Sequence, residues 1–200
     1  MLLLVTAAFF VIRLAPGGPF DEERARPPQV RANLEAAYGL DAPLATQYLR
    51  YVGGLLRGDL GPSFKHKDMG VNELIAGGLP VSAALGAVAL ALGLLLGVPL
   101  GCLAALHRAG PVDLGATIVT ALALALPAFV LGPLLSLAFG LQLRWLPAAG
   151  WENGSLRHAL LPVITLAAPV MAYSARLVRS GLLEVLGADY IRAARARGLG

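Results

Sequence analysis

Three stretches of the chain run apolar and almost free of charge over lengths that cross a bilayer. The first extends from about Leu79 to Leu106, the second from Leu114 to about Leu143 and the third from about Ala159 to Val178. Spanning the hydrocarbon core takes about 17–25 such residues. Backbone groups in lipid must bond within their own segment, so these stretches predict helices. Strands of a barrel would be about 10 residues long with alternating polarity. A fourth stretch, Met1 to Leu14, is apolar but short for a span. It lacks the basic leader of a signal peptide, and Arg13 interrupts it before any small-residue cleavage site. It reads as the outer half of a first span that has lost residues at its start.

The predicted helices are punctuated. Pro99, Pro127, Pro133, Pro162 and Pro169 fall inside them, with Gly86, Gly93, Gly97, Gly101 and Gly132. Proline removes a backbone donor and kinks a helix. Gly93, Gly97 and Gly101 form a row at a spacing of four, which lets a neighbouring helix approach closely. Two readings stay open: ordinary helix packing, or a bundle whose broken helices line a path.

Between the short Met1–Leu14 stretch and the one that starts at Leu79 lies a polar segment, Phe20 to Gly78, that reads as two short helices and a loop. Pro28, then Val30, Leu34 and Ala37/Tyr38, gives a helical stripe that Gly39 stops. Asp41 is the expected N-cap of the next helix, which carries Leu44, Tyr48, Tyr51, Val52 and Leu55 on one side and ends near Gly58. Gly61-Pro62 and Lys65 to Asp68 read as loop. The expected fold is all-α: a polytopic transmembrane helix bundle with a small helical extracytoplasmic cap between the first two spans.

Composition supports this. Of 200 residues, 57% are hydrophobic and 14% charged, and mean hydropathy is +0.71. Soluble domains hold about 45–50% apolar and about 25% charged residues. The net charge is +4 and, apart from Lys65 and Lys67, all 16 basic residues are Arg. They lie mostly between apolar stretches, so topology explains them without nucleic acid. Arg179, Arg192, Arg195 and Arg197 follow the last stretch, with Arg176 at its edge, which places residues 179–200 in the cytoplasm. Parity then puts 107–113 inside, and 20–78 and 140–158 outside, where Trp145 and Trp151 suit an interfacial belt. The lone Cys102 allows neither a disulfide nor a thiolate metal site within one chain.

Catalytic chemistry has few candidates. His66, His107 and His158 sit in loops or at span ends, and no H-E-x-x-H, G-x-S-x-G or Gly-Lys-Ser/Thr phosphate loop occurs. Ser82, Ser136 and Ser174 lie in or beside spans, where serine usually bonds back to its own helix. Ion-coupled carriers need charged groups at mid-span, and these are missing too. The expectation is no catalytic, metal or cofactor site.

The end of the chain is different. Asp189 suits an N-cap, Tyr190 to Arg197 a short helix and Gly198 the position after it. Arg192 and Arg195 share a face, and Ala193, Ala194 and Ala196 keep much of the surface small. On physics alone this is either a positive-inside tail on the membrane surface or a helix that fits against a partner.

Ala193-Ala194 with Gly198 resembles the E-A-A-x-x-x-G loop of permease subunits in bacterial binding-protein-dependent ABC importers. Tyr190-Ile-Arg-Ala-Ala-Arg-Ala-Arg-Gly-Leu is similar to the wording in the oligopeptide and dipeptide branch. Arg13-Leu-Ala-Pro-Gly-Gly-Pro-Phe20, Gly61-Pro-Ser-Phe-Lys65, Leu79-Pro-Val-Ser82 and Trp145-Leu-Pro with Gly150-Trp151 resemble further segments of that branch. Arg192 stands where the general motif has Glu, as is common in the peptide branch.

The resemblance implies the following expectations. Residues 1–19 are a partial first span, 20–78 an external cap facing a solute-binding protein, 79–178 three spans, and 179–200 a cytoplasmic coupling loop that stops before two further spans. A second homologous permease subunit completes the path, and two cytoplasmic ATPase subunits drive it. Arg192, Ala193, Ala194 and Gly198 are the expected ATPase-coupling residues. ATP is bound by the partners, so no cofactor is expected here. The setting is the lipid of the bacterial inner membrane, and the cargo an oligopeptide or dipeptide, with nickel chelates or other small solutes as the alternative. A secondary carrier or an intramembrane enzyme remains as a rival, each short of the residues it needs.

Overall fold

A computed structural model describes residues 2–14, 39, 42–63, 69–152 and 155–198. Its helices, in chain order, are α1 (Leu2–Leu14), α2 (Leu44–Leu56), α3 (Val71–Leu106), α4 (Pro111–Ala125), α5 (Ala128–Leu135) with a π-helical continuation (Ser136–Gln142), α6 (Leu156–Leu186) and α7 (Asp189–Ala196). The chain is an all-α membrane protein, and one isolated bridge, Pro62 to Gly70, is the β-type pairing among the described residues. Two compact units divide it, residues 1–80 and 81–200.

In the first unit α1 packs on α2 through aromatic rings. Phe9 lies 5.4 Å from the Tyr48 ring and 5.5 Å from Tyr51, Phe10 stacks on Tyr48 at 5.6 Å, and the Thr6 and Tyr48 hydroxyls are 2.7 Å apart. Helix α2 begins after Pro43, whose carbonyl accepts from Thr46 and Gln47, and ends at Arg57 with Gly58 at φ +76°. The expected helix over 28–38 and the Asp41 cap lie outside the described residues. Gly39, the expected stop, adopts φ +64°. The 57–63 loop folds back on the start of α3: the Leu60 N–H donates to Asn72 Oδ1 at 2.8 Å, the Asn72 amide donates to the Gly58 carbonyl, and the Val71 N–H donates to the Gly61 carbonyl at 2.9 Å.

In the second unit the interior is built mostly of small residues, with Leu161 and Val163 of α6 buried among them. Ala89, Gly93, Gly97, Gly101, Ala104 and Ala105 of α3 are buried, as are Ala167, Ala172 and Ala175 of α6. Large apolar side chains face outward instead, such as Leu95, Leu177 and Phe129. This inversion fits helices surrounded by lipid, where association comes from close approach rather than from expelling water. The glycine row is the seam. A Cβ on Gly93 would meet Val170 at 2.7 Å, one on Gly97 the Met171 carbonyl at 2.5 Å, and one on Gly101 the Ala175 carbonyl. The Ala167, Met171 and Ala175 carbonyls stand opposite Gly93, Gly97 and Gly101 in turn, so each step of four along α3 matches a step of four along α6 and the two helices run parallel and in register. The packing reading of the row is the one the geometry carries.

By length and composition α3 and α6 can each cross a bilayer, and α4 with α5 and its continuation counts as one more if the bent pair is a single span. The Pro residues act unequally. Pro99, Pro162 and Pro169 sit within unbroken helices. Pro127 does not: the single run expected over 114–143 is broken there by a 99° bend. Pro127 has no N–H, and its ring pushes Leu126 out of the helical region to φ −92°, ψ 111°. The ladder resumes with Val130 donating to the Pro127 carbonyl at 2.9 Å. Past Leu135 the chain widens into a π-helix, and the loop beyond folds against it. Trp145 donates to the Phe139 carbonyl at 2.9 Å, and Gly140 faces Ala148 so closely that a Cβ would stand 2.7 Å from it.

Candidate functional site

Helix α6 runs eight residues past the expected end at Val178, so Arg176 and Arg179 lie within it rather than at and beyond its edge. Its 31 residues span about 46 Å at 1.5 Å each, which exceeds the roughly 30 Å hydrocarbon core. At its end Gly187 donates to the Leu183 and Glu184 carbonyls at 3.1 and 3.2 Å, and Ala188 donates to Val185 at 3.0 Å. The Ala188 carbonyl then accepts from Ile191 and Arg192, which starts α7. Two residues join the helices, both held by backbone hydrogen bonds.

Helix α7 starts one residue earlier than the sequence predicts. Ala188 takes the cap position and Asp189 is the first helical residue, where its charge favours the helix N-terminus. Its Oδ1 lies 3.6 Å from Arg192 Nη1, an exposed contact of little energetic weight. Of the four expected coupling residues, Arg192 and Ala193 are exposed on α7 and Ala194 is half-buried. Gly198 follows the helix at φ +84°, a left-handed conformation that suits glycine, and no described heavy atom lies within 4 Å of a Cβ built there. Tyr190 is 64% exposed. The side chain of Arg195 lies outside the description. The arrangement offers a short, small-surfaced helix with the exposed Arg192 on it, joined to the end of a long membrane-spanning helix.

A second cluster was not legible in the sequence. Asp113, in the first turn of α4, is buried with 6% exposure and is gripped by Arg179 of α6. Arg179 Nε donates to Oδ1 at 2.6 Å and Nη2 to Oδ2 at 2.8 Å, a two-pronged fork. Oδ2 also accepts the backbone N–H of Ala109 at 3.0 Å, and Ala109 holds the turn after α3 at φ +61°. Three residues along α6 in the other direction, Arg176 Nε donates to Thr120 Oγ1 at 3.3 Å, and Thr120 in turn donates to the Thr117 carbonyl. Going from 176 to 179 on α6 runs from 120 to 113 on α4, so these helices are antiparallel. The α3–α4 turn and the last turns of α6 therefore lie at one end of the unit. A cavity of about 200 Å³ opens beside this pair, with Gly101, Thr117, Arg176 and Arg179 in its wall. Residues 66 apart gave no local pattern; the signal available was an acid in the first turn of an otherwise uncharged helix.

No cluster of three His, Cys, Asp or Glu able to hold a metal occurs among the described residues. His66 lies outside them. Ser174 bonds to its own helix, donating to the Val170 carbonyl at 2.8 Å, and Thr165 does the same to Leu161.

A multi-span helical protein with a small-residue core and a short arginine-bearing helix at one end is the class these features define. Residues 97–200 match the family of binding-protein-dependent transport system inner membrane components, and the chain belongs to that family. It is a multi-pass protein of the inner membrane. The chain is 45% identical over 199 residues to the oligopeptide transport system permease protein OppB of Salmonella typhimurium. It is 47% identical to the OppB of Haemophilus influenzae and 42% identical to the dipeptide transport system permease protein DppB of Bacillus subtilis. Each alignment covers 100% of this chain, which spans only about 65% of the length of the curated relatives it matches.

Proposed function

We propose that the chain forms part of the translocation path of an ATP-driven ABC importer for oligopeptides or dipeptides, and that α7 is the surface on which an ATPase subunit acts. The observation that carries this reading is the mounting of α7: a short exposed helix joined by two hydrogen-bonded residues to the end of a 31-residue span. A helix held this way passes a push on to its span as rigid-body motion. Arg192, Ala193, Ala194 and Gly198 dock in a cleft of the ATPase, where small side chains allow close approach and the guanidinium finds acidic groups. ATP is bound and hydrolysed by that partner, and this chain needs no cofactor of its own.

A second homologous permease subunit and two ATPases complete the assembly on this reading. An extracytoplasmic solute-binding protein delivers the cargo to the external segment that precedes α3. The cargo class follows the names of the relatives. Residues 179–200 lie on the cytoplasmic side, a topology supported by the arginines there and by the parallel and antiparallel directions of α3, α4 and α6. In the assembled transporter, Ala194→Glu or Gly198→Arg is expected to abolish ATP-dependent peptide uptake while leaving membrane insertion intact. Normal uptake by either variant would refute the docking role.

A further inference from the structure

We propose that Asp113 and Arg179 are positioning residues of energy coupling: their fork binds the arm that carries α7 to the turn between α3 and α4, so that α6, α7 and the near end of α4 move as one body. The proposal rests on the reading of α7 as the driven surface.

The Asp113 carboxylate is fully engaged. It takes both prongs of Arg179 from α6 and the Ala109 N–H from the α3–α4 turn, so a single buried group ties three segments. A guanidinium–carboxylate fork fixes orientation as well as distance, which a lysine ammonium does not. The second rung, Arg176 on Thr120, prevents the two helices from pivoting about the first. Between the clamp and α7 there is no slack. Arg179 lies seven residues before the end of α6, and the Gly187–Ala188 joint is held by the backbone bonds already described.

Beyond the clamp the chain is stiff up to one break. Helix α4 continues for 15 residues in all, about 22 Å, to Leu126–Pro127, where the 99° bend begins. An element end where the backbone leaves the helix is the kind of place at which hinge motion is absorbed. A displacement of α7 therefore reaches α4 through Asp113 and turns it about the Pro127 break, which moves α4 relative to α5. Without the fork, α6 can be pushed while α4 stays behind, and hydrolysis is spent without moving the path.

A pair that only neutralises buried charge predicts something else: loss of assembly, with any transporter that does assemble working normally. The test uses the assembled transporter in liposomes, with uptake and ATP hydrolysis both measured per assembled complex. Arg179→Lys keeps the charge and loses the fork. It is expected to hydrolyse ATP while transporting about tenfold less peptide per ATP. The reversed pair Asp113→Arg with Arg179→Asp is expected to recover part of that ratio. A normal ratio in Arg179→Lys overturns the proposal. A second measurement does not depend on how the variants fold: spin labels at Arg108 and Ala196 of the otherwise unaltered transporter, with Cys102→Ser, are expected to give one distance distribution in nucleotide-free and ATP-trapped states. A distance that changes between those states overturns the proposal. An unaltered transporter that shows no ATP-driven uptake refutes the function assigned to α7 instead, and is distinguishable from both outcomes.

Discussion

Gly97→Ala is the sharpest test of the seam between α3 and α6. The added methyl would stand 2.5 Å from the Met171 carbonyl oxygen and 3.0 Å from the Met171 Cα, and would overlap Ser174 Oγ. Ser174 cannot simply rotate clear without giving up its bond to Val170, and the Met171 atoms are backbone. Helix α6 must therefore retreat by roughly 1 Å at the centre of the row, and a gap of that size forfeits about a quarter to a half of the dispersion energy of each neighbouring contact. Gly93 and Gly101 lie one turn away on the same seam and lose contact together with it. Overpacking of this kind costs about 1–3 kcal/mol, and no hydrophobic pressure between helices in lipid restores the contact. For a chain of this size that corresponds to a melting temperature lower by roughly 2–4 °C per kcal/mol. Gly86→Ala is the control, because no described heavy atom lies within 4 Å of its Cβ position and alanine is the better helix former by about 0.5–1 kcal/mol. Thermal unfolding of the purified protein in detergent, read by retention of the monodisperse peak, compares the two. A Gly97→Ala protein as stable as the unaltered chain would refute the seam.

Two further outcomes follow from local geometry. Asn72→Ala removes the two side-chain bonds from α3 to the 57–63 loop and leaves the Val71–Gly61 backbone bond, so the Leu60 amide should exchange its hydrogen several-fold faster, while amides in the middle of α3 keep their protection. Pro127→Ala restores a backbone donor and frees Leu126 to become helical, so the 99° bend should relax; labels at Thr117 and Leu141 would then move apart, and an unchanged separation would show that surrounding contacts rather than the proline set the bend.

The sequence makes some layers of this molecule legible and hides others. Uncharged runs at bilayer length force helices, because lipid leaves the backbone no other partner. The terminal helix was readable as well, since Asp189 and Gly198 mark its ends, and the shift of its cap to Ala188 is a difference of one residue. Helix rotation was not readable. The Gly93, Gly97 and Gly101 row fitted both packing and a broken path until Met171 and Ala175 appeared opposite it. Pro127 and Pro99 look alike in sequence, yet one ends a helix and the other does not, because the outcome depends on neighbours that satisfy the freed backbone. Arg179 looked like a marker of the cytoplasmic side, and nothing local to it or to Asp113 announces that they meet.

The central claim is that α7 lies on the cytoplasmic face in the grip of an ATPase. The direct measurement places a single cysteine at the exposed Ala196 in a Cys102→Ser background and exposes right-side-out and inside-out vesicles to a membrane-impermeant maleimide. The account predicts labelling only in inside-out vesicles, and protection there when the ATPase subunits are bound. Labelling of intact right-side-out vesicles would contradict it.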